Sequence, residues 1–372
     1  MSSPPYFVGM DVGGTTMKAA VIDDLGEFLV DEPACRKTEP ELGQDRGLAT
    51  MVETVEQAVV DAGLARADIS AIGFVTPGLM DIPTGIILDP PNLKPWRNVK
   101  VLEHIRRAFD GTTVIYQNDA NAAAFGEWWI GAGQGCDSLV MFTLGTGVGG
   151  GIVQRGEILT GVHSHGAELG HMRIDRPDTG RLCGCGMRGC LEAYASATAI
   201  AKRARSMMAE WKEPTALAAH ENDPKLDAKI VFDLAIAGDE CAIAVVDETA
   251  LNIALGCCSI IATVDPDTIV IGGGVVQTAY PFLETIDRYV RQYGLPYPTR
   301  SDEYAAKLGI PTLPKPVKIV RAGLLHEAGI VGAAGYARRE WMRTRPGKDY
   351  TGSIESRCGI RSPGDDKRWP RS

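Results

Sequence analysis

Residues 6–30, YFVGMDVGGTTMKAAVIDDLGEFLV, decide the fold of this chain. Two apolar runs, Tyr6 to Val12 and Met17 to Ile22, flank a break at Gly13-Gly14, and a second turn leads into Glu27 to Val30. Short apolar runs that are separated by glycine and aspartate turns are typical of consecutive β-strands. The segment therefore predicts a three-stranded meander.

The same arrangement returns at residues 139–159, LVMFTLGTGVGGGIVQRGEIL. Apolar residues from Leu139 to Leu144 are interrupted by Gly145-Thr146-Gly147 and resume from Gly150 to Val153, before a turn into Glu157 to Leu159. This internal repeat predicts two similarly built lobes. We expect a cleft between them, which is where small-molecule sites commonly lie.

Helices and strands alternate through the rest of the chain. The periodicity predicts strands at residues 69–75, 113–117 and 268–272, and helices at residues 47–63, 101–109, 120–130, 193–212, 227–237 and 241–262. Such alternation indicates an α/β sheet that is covered by helices. One segment breaks the pattern, because residues 291–316 contain five prolines and are predicted to form an extended surface loop.

The composition is that of a soluble globular protein, and the length suits two domains. The chain has 372 residues, of which 45% are apolar and 23% charged, and its net charge is −9. An acidic chain is a poor nucleic-acid binder. No signal peptide is visible, and the apolar run of residues 250–264 is interpreted as a buried helix, so no membrane association is expected. Nine cysteines without a secretory signal indicate the reducing cytoplasm.

Residues 161–196 contain a set of metal ligands, in the sequence GVHSHGAELGHMRIDRPDTGRLCGCGMRGCLEAYAS. His171, Cys183, Cys185 and Cys190 supply the one imidazole and three thiols of a closed tetrahedral zinc site. The alternative is that these are ordinary buried cysteines. Three glycines beside the cysteines favour zinc, because tight turns around a metal need residues without a Cβ.

The DVGGTTMK sequence of residues 11–18 suggests a phosphate site. Adjacent glycines let backbone N–H groups approach a polyphosphate, and the threonine hydroxyls add donors. Asp11 could hold Mg²⁺, directly or through water. A type I′ hairpin turn would also explain the glycines. The second copy at Gly145-Thr146-Gly147 makes a phosphate clamp the better interpretation.

The second copy also fits the dinucleotide-binding fingerprint, with glycines at positions 145, 147 and 150. That fingerprint requires a helix to begin at once. Here the sequence continues into a predicted strand, so we do not expect a dehydrogenase.

Two further strand ends carry candidate ligand groups. Asn118-Asp119 lies between a strand and the alanine-rich helix, where Asp119 could accept a hydroxyl proton and Asn118 could bind a polyol. Both residues are also common helix N-caps, and the two roles are compatible. Gly272-Gly273-Gly274 follows a strand, and forms either a tight turn or a surface against which an adenine ring or ribose packs.

Together these segments resemble the ROK family of bacterial sugar kinases. The resemblance covers about residues 7–335 and rests on DVGGTTMK, NDAN, LGTGVGGGI, the ELGH and CGCGMRGCLE sequences, and VIGGGVV, in this order. It implies a two-lobed α/β fold of the actin-like or hexokinase-like ATPase type (ribonuclease H-like), whose lobes close on ATP and a hexose. It further implies Mg²⁺ with the nucleotide and a structural Zn²⁺.

The resemblance assigns roles to matching residues. Asp119 corresponds to the catalytic base that accepts the proton of the sugar 6-hydroxyl. The expected sugar contacts are Gly78, Asn118, Asp119, Glu168, His171 and Glu192. The expected nucleotide and Mg²⁺ residues are Asp11, Gly13, Gly14, Thr15, Thr16, Lys18, Thr146, Gly147, Gly272, Gly273 and Gly274. His171 is expected to serve both Zn²⁺ and the sugar.

With this fold we expect an N-terminal α/β lobe at residues 1–120, completed by a C-terminal helix near residues 328–343. Residues 121–327 would form a larger α/β lobe that contains the zinc-binding segment 171–190. Residues 344–372 are expected to be a basic, disordered tail.

The family contains several branches. Repressor members place a winged-helix domain before the first glycine motif, and because Asp11 comes so early in this sequence we do not expect a repressor. The sequence GCLEAYASATAI looks most like the glucokinase branch, although kinases for fructose, mannose, N-acetylglucosamine or N-acetylmannosamine share the same motifs. A non-catalytic sugar sensor is the other alternative. We expect a dimer or tetramer. His163 and His165 depart from the family, and form either a solvated loop or an additional contact.

Overall fold

The computed structural model describes residues 5–90, 92–310 and 315–345. Its strands are β1 Tyr6–Val12, β2 Thr16–Ile22, β3 Ala34–Lys37, β4 Ile69–Thr76, β5 Leu79–Asp81, β6 Ile86–Asp89, β7 Thr113–Asn118, β8 Ser138–Leu144, β9 Val148–Gln154, β10 Glu157–Ile158, β11 Thr268–Gly272 and β12 Lys318–Arg321. Its helices are α1 Gln44–Asp61, α2 Val101–Ala108, α3 Asp119–Trp129, α4 Glu192–Ala195, α5 Ala197–Glu210, α6 Ala228–Ile236, α7 Glu240–Val264, α8 Phe282–Tyr293, α9 Pro296–Thr299, α10 Ser301–Leu308 and α11 Ala328–Arg343. Nearly all of the tail expected at residues 344–372 lies outside the described residues.

The chain divides into two compact units. Unit 1 contains the described residues up to Asp137, together with Arg155–Ser164 and the residues from His326 onward. Unit 2 contains Ser138–Gln154 and His165–Leu325. Helix α11 thus belongs to the same unit as the N-terminal residues. The chain first passes from unit 1 into unit 2 after Asp137, whereas we predicted this boundary at residue 120.

Close backbone contact between α3 and α11 explains why α3 belongs to unit 1. A Cβ at Gly332 would lie 1.7 Å from the carbonyl oxygen of Ala122, and one at Gly126 would lie 2.7 Å from that of Ala328. Only glycine permits such an approach. The helix that begins at the predicted catalytic base is therefore fixed within unit 1.

The sheet of unit 1 has the order β3-β2-β1-β4-β7, with β1 antiparallel to β2 and parallel to β4. Its meander differs from the prediction, because the third strand is β3 at Ala34–Lys37 and Glu27–Val30 contributes only an isolated bridge through Phe28. Pro33 directly precedes β3, in keeping with the rule that proline, which cannot donate a hydrogen bond to a β-ladder, is found at strand ends. The small β5–β6 hairpin was not predicted.

In the sheet of unit 2, β9, β8, β11 and β12 are neighbours in that order. Strand β8 is antiparallel to β9 and parallel to β11. The sheet shares a hydrophobic core with α7, whose 25 residues include 12 that are buried. By length and composition alone α7 is long enough to cross a membrane, but burial of this kind is also typical of a core helix in a soluble protein.

The proline-rich segment 291–316 is not the extended loop that we predicted. In its described part, α8 ends at Tyr293 and two short helices follow, α9 and α10. Proline is favoured at the first position of a helix, because its fixed φ suits the helix and its missing N–H would be unpaired there. Pro296 occupies this position in α9. Proline therefore begins a helix here, where we expected it to prevent one.

Candidate functional site

The turn between β1 and β2 carries the first predicted phosphate residues. Gly13 N donates to Thr16 O at 2.9 Å, and Thr38 Oγ1 donates to Gly13 O at 2.7 Å. It is not a type I′ turn, because that turn requires positive φ at both central residues and neither Gly14 nor Thr15 has one. Glycine is needed instead for space, since a Cβ at Gly14 would lie 2.8 Å from Asn92 O. The turn exposes Thr15.

Asp11, the predicted Mg²⁺ ligand, lies beside this turn. It pairs in register with Lys18 of β2, and its Oδ2 would lie 2.9 Å from a Cβ at Gly329, in the first turn of α11. Burial raises the pKa of the Asp11 carboxyl, while the charge of Lys18 lowers it by a smaller amount. A carboxylate that is partly removed from water gains from a bound divalent cation.

The predicted catalytic base lies where β7 passes into α3. Asn118 Oδ1 accepts from Ala120 N at 2.9 Å and from Asn121 N at 3.1 Å, so Asn118 is the helix N-cap. Asp119 Oδ1 accepts from Ala120 N at 2.8 Å. The helix N-terminus carries partial positive charge, which favours a carboxylate at Asp119. The cap therefore fixes the position of both predicted ligand residues.

Two buried hydroxyl groups near Asp119 were missed by the sequence analysis. Thr76 Oγ1 and Tyr116 OH are 2.7 Å apart, and Thr76 pairs in register with Asn118. Burial raises the pKa of Tyr116, and the charge of Asp119 raises it further. The position of Thr76 could have pointed to this pair, because Thr76 ends β4 two residues before the predicted sugar contact Gly78. Gly78 itself has a φ of 92°, a left-handed conformation that favours glycine.

The four predicted metal ligands lie together in unit 2. The ligand atoms of His171, Cys183, Cys185 and Cys190 are all within 4.8 Å of one another. Cys183 Sγ lies 3.8 Å from His171 Nδ1, and Cys185 Sγ lies 3.8 Å from Cys190 Sγ. Tetrahedral zinc with Zn–S bonds of about 2.3 Å places its sulfur ligands about 3.8 Å apart. The donor set and its spacing therefore fit Zn²⁺.

The backbone of this segment is shaped by glycine. Gly186 and Gly189 have φ values of 85° and 81°, and Cys183 N donates to Met187 O at 2.7 Å. Burial raises the pKa of the Cys183 thiol to about 12. A metal must displace that proton, because the thiolate is the form that binds zinc.

Glu168 and Glu192 flank the metal ligands in different ways. Glu168 is exposed, and its carbonyl oxygen accepts from His171 N at 3.0 Å. Glu192 Oε1 lies 3.3 Å from Cys183 Sγ, while Oε2 accepts from Val148 N at 3.0 Å. The contact of Glu192 with Val148 was not predicted, because the two residues are far apart in the sequence.

The second predicted phosphate turn, Gly145-Thr146-Gly147, joins β8 to β9. Gly145 N donates to Gly147 O at 3.0 Å, and the chain continues directly into a strand. The absence of a helix here within the described residues confirms that the glycine pattern is not a dinucleotide fingerprint. Thr146 O accepts from Thr198 Oγ1 at 3.0 Å.

Gly272-Gly273-Gly274 ends β11 in a tight turn, as one of the two interpretations predicted. Gly273 has a φ of 94°, and a Cβ there would lie 2.3 Å from Leu144 O. Gly274 has no neighbouring atom within 4 Å of an added Cβ, which leaves open space on that side. His163 and His165 lie outside the four-residue metal cluster.

Comparisons with known proteins agree with this architecture. A family model described as the ROK family matches residues 7–340. A glucokinase from Halalkalibacterium halodurans is 37% identical over 297 residues, which cover 79% of this chain and 88% of the relative. A crystal structure of a ROK hexokinase from Thermus thermophilus is 32% identical, with a TM-score of 0.73, and covers 91% of this chain and 99% of the other.

A third comparison concerns a ROK family glucokinase from Streptomyces griseus, solved in complex with glucose and AMPPNP. It is 29% identical, with a TM-score of 0.66, and covers 90% of this chain and 99% of the other. The likeness to two solved kinases over nine-tenths of the chain confirms the predicted α/β fold of the two-lobed actin-like ATPase type.

Proposed function

The chain belongs to the ROK family, and we propose that it is an ATP-dependent hexose kinase that transfers the γ-phosphate to the 6-hydroxyl of glucose. The observation that carries the proposal is Asp119, whose carboxylate lies in the first turn of α3 and is held there by Ala120 N. A protein that only senses sugar has no need of a base at this position. The similarity to a glucokinase that binds glucose and AMPPNP supports glucose and ATP as the substrates.

Asp119 would orient the sugar 6-hydroxyl and accept its proton as the bond to phosphorus forms. The partial positive charge at the start of α3 would stabilise negative charge at this position. Sugar contacts are proposed for Gly78, Asn118, Glu168, His171 and Glu192. Because Asn118 uses its Oδ1 as the helix cap, its amide group is the part that can donate to a sugar hydroxyl.

Nucleotide contacts are proposed for Asp11, Gly13, Gly14, Thr15, Thr16, Lys18, Thr146, Gly147, Gly272, Gly273 and Gly274. Phosphoryl transfer depends on positioning and on stabilising the charge of the phosphate oxygens. Backbone N–H groups and threonine hydroxyls of the two glycine turns would supply hydrogen bonds to those oxygens. Mg²⁺, held by Asp11 directly or through water, would supply the remaining positive charge.

Zn²⁺ is proposed as a structural ion held by His171, Cys183, Cys185 and Cys190. It would fix the ring of His171 through one nitrogen, so that the other can contact the sugar. We further propose that the protein acts in the cytoplasm, in carbohydrate breakdown through glycolysis, as a dimer or tetramer. Light scattering on the purified protein tests the oligomeric state.

The test of the proposed function is a product-coupled kinase assay with Mg-ATP. The panel contains glucose, fructose, mannose, N-acetylglucosamine and N-acetylmannosamine, and the protein is first shown to contain zinc. We expect the highest kcat/KM for glucose. Preference for an N-acetylated sugar would overturn the substrate, and no turnover with any sugar would favour the sensor instead.

A further inference from the structure

One side chain touches both the zinc-binding segment and the second glycine turn. Glu192 stands two residues after the ligand Cys190, and its Oε1 lies 3.3 Å from Sγ of the ligand Cys183. Its other oxygen, Oε2, accepts from Val148 N at 3.0 Å, directly after the Gly145–Gly147 turn. A Cβ at Gly147 would lie 2.5 Å from this oxygen, so the turn and the carboxylate are in close contact.

The same stretch of chain holds the turn at two other points. Ala197 N donates to Gly145 O at 2.8 Å, and Thr198 Oγ1 donates to Thr146 O at 3.0 Å. Ser196 fixes these donors by capping α5, where its side chain accepts from Ala199 N at 3.1 Å. Residues 192–198, which follow the last zinc ligand, therefore contact each of the four residues from Gly145 to Val148.

The residues beside the ligand His171 also contact the end of the turn. Gly170 precedes the ligand His171, and a Cβ there would lie 1.9 Å from Val148 O. The Val148 N–H thus meets the carboxylate of Glu192, while the Val148 carbonyl meets the backbone beside His171. Leu169 and Leu191 are buried in the same hydrophobic core as Val148, which makes this connection rigid.

We propose that Glu192 is a positioning residue that links the zinc-binding segment to the Gly145–Val148 turn, so that zinc binding raises the affinity of the turn for nucleotide phosphates. The inference rests on the proposed function, because it takes this turn to be a phosphate site. It adds to the sugar contact proposed for Glu192. A turn that is held in its binding conformation loses less entropy when phosphate binds, and therefore binds more tightly.

The test measures Mg-ADP binding by calorimetry, without sugar, to the zinc-loaded full chain. In Glu192→Ala the Val148 N–H loses its acceptor, and we expect the Kd for Mg-ADP to rise by about tenfold. Glu192→Gln retains an amide oxygen that can accept from Val148 N, and its Kd should stay near the wild-type value. Zinc content is measured in every variant by mass spectrometry.

Glu248→Gln is the matched control. Glu248 also lies beside the zinc-binding segment, where it pairs with Arg181 and Arg203, but its contacts do not involve the turn. Its Kd for Mg-ADP should therefore be unchanged. A rise equal to that of Glu192→Ala would contradict the inference, because it would show a general loosening of the segment.

Zinc removal gives a second measurement that does not depend on a variant. A zinc chelator that spares Mg²⁺ should weaken Mg-ADP binding to the wild-type protein, and added zinc should restore it. Unchanged Mg-ADP affinity without zinc overturns the inference, as does a Glu192→Ala variant that loses only glucose affinity. If the zinc-loaded wild-type protein binds no Mg-ADP at all, the proposed function itself fails.

Discussion

At the scale of single residues, the proposed site contains carboxylates with different surroundings. Asp119 lies at a helix N-terminus and accepts a backbone hydrogen bond, whereas Asp11 is partly removed from water beside Lys18. Glu192 accepts from the backbone amide of Val148, the first residue of β9 in unit 2. The helix end stabilises negative charge at Asp119, and the buried surroundings of Asp11 favour binding of a cation.

Asp119→Asn should remove the base and little else. The amide can still accept from Ala120 N through its oxygen, so the structure of α3 should persist. We expect kcat to fall by about 10²–10⁴-fold, with the Kd for glucose and for Mg-AMPPNP close to wild type. Steady-state kinetics and calorimetry measure these quantities. Near-normal kcat would remove Asp119 from the role of base.

Asp11→Asn should separate stability from activity. Because burial raises the pKa of Asp11, the ionised carboxyl destabilises the folded state, and the amide removes that cost. We expect the free energy of unfolding at pH 7 to be unchanged or higher, while Mg-ATP turnover falls. The gain should disappear below the ordinary carboxyl pKa of about 4, because the carboxyl is then protonated in both states.

Asp24→Asn is the control for this prediction. Asp24 Oδ1 lies 2.7 Å from Arg338 Nε in unit 1, away from the glycine turn. Breaking that ion pair should lower the free energy of unfolding without changing turnover. Urea unfolding gives the change in the free energy of unfolding for each variant. A loss of stability in Asp11→Asn would contradict the account.

At the scale of elements, small residues and metal ligands decide what packs together. Helices α3 and α11 approach closely through glycines, and a Cβ at Gly332 would lie 1.7 Å from the backbone of α3. The zinc-binding segment contains little regular structure, so its shape depends on glycine turns and on the proposed metal. The first feature holds the predicted base in unit 1, and the second holds the predicted sugar ligands Glu168, His171 and Glu192 in unit 2.

Gly332→Ala should strongly destabilise unit 1. The added methyl group meets the backbone carbonyl of Ala122, which cannot rotate away, so the cost should be about 1–3 kcal/mol or more. Gly256→Ala in α7 is the control, because its nearest neighbour is a side-chain methyl of Leu191 at 3.0 Å, which needs to shift by only a few tenths of an ångström. That variant should change stability by less than about 1 kcal/mol. Equal effects in thermal unfolding would contradict this account of the helix contact.

Cys185→Ser should weaken zinc binding, lower the stability of unit 2 and raise the Kd for glucose, because His171 loses its support. Cys35→Ser is the control, since Cys35 is exposed on β3 outside the zinc-binding segment. Metal analysis and calorimetry give the readouts. A Cys185→Ser protein with a full complement of tightly bound zinc would show that the ligand assignment is wrong.

Much of the element order could be predicted, because most strands and helices carry their own local pattern. Strand β1 matched its apolar run, and the metal ligands lie within one short segment. Features that depend on distant residues were missed. These include the register that makes Ala34–Lys37 the third strand, the Thr76–Tyr116 pair and the contact of Glu192 with Val148. Pro296 misled us because proline is typical of loops but is also favoured at the first position of a helix.

At the scale of the whole molecule, the two units repeat one design. In each, an antiparallel hairpin with a glycine turn leads a sheet whose later strands are parallel. The sequence repeat predicted this duplication, and the similarity to solved ROK kinases covers both units. Asp119 lies in unit 1 and the zinc-binding segment lies in unit 2.

The most direct test of glucose phosphorylation is to identify the product by nuclear magnetic resonance. The zinc-loaded protein is incubated with glucose and Mg-ATP, and phosphorus and carbon spectra are recorded over time. The account predicts a phosphate monoester on the oxygen of carbon 6, formed in equal amount to ADP. Release of inorganic phosphate without a sugar phosphate, or phosphate on another sugar oxygen, would contradict it.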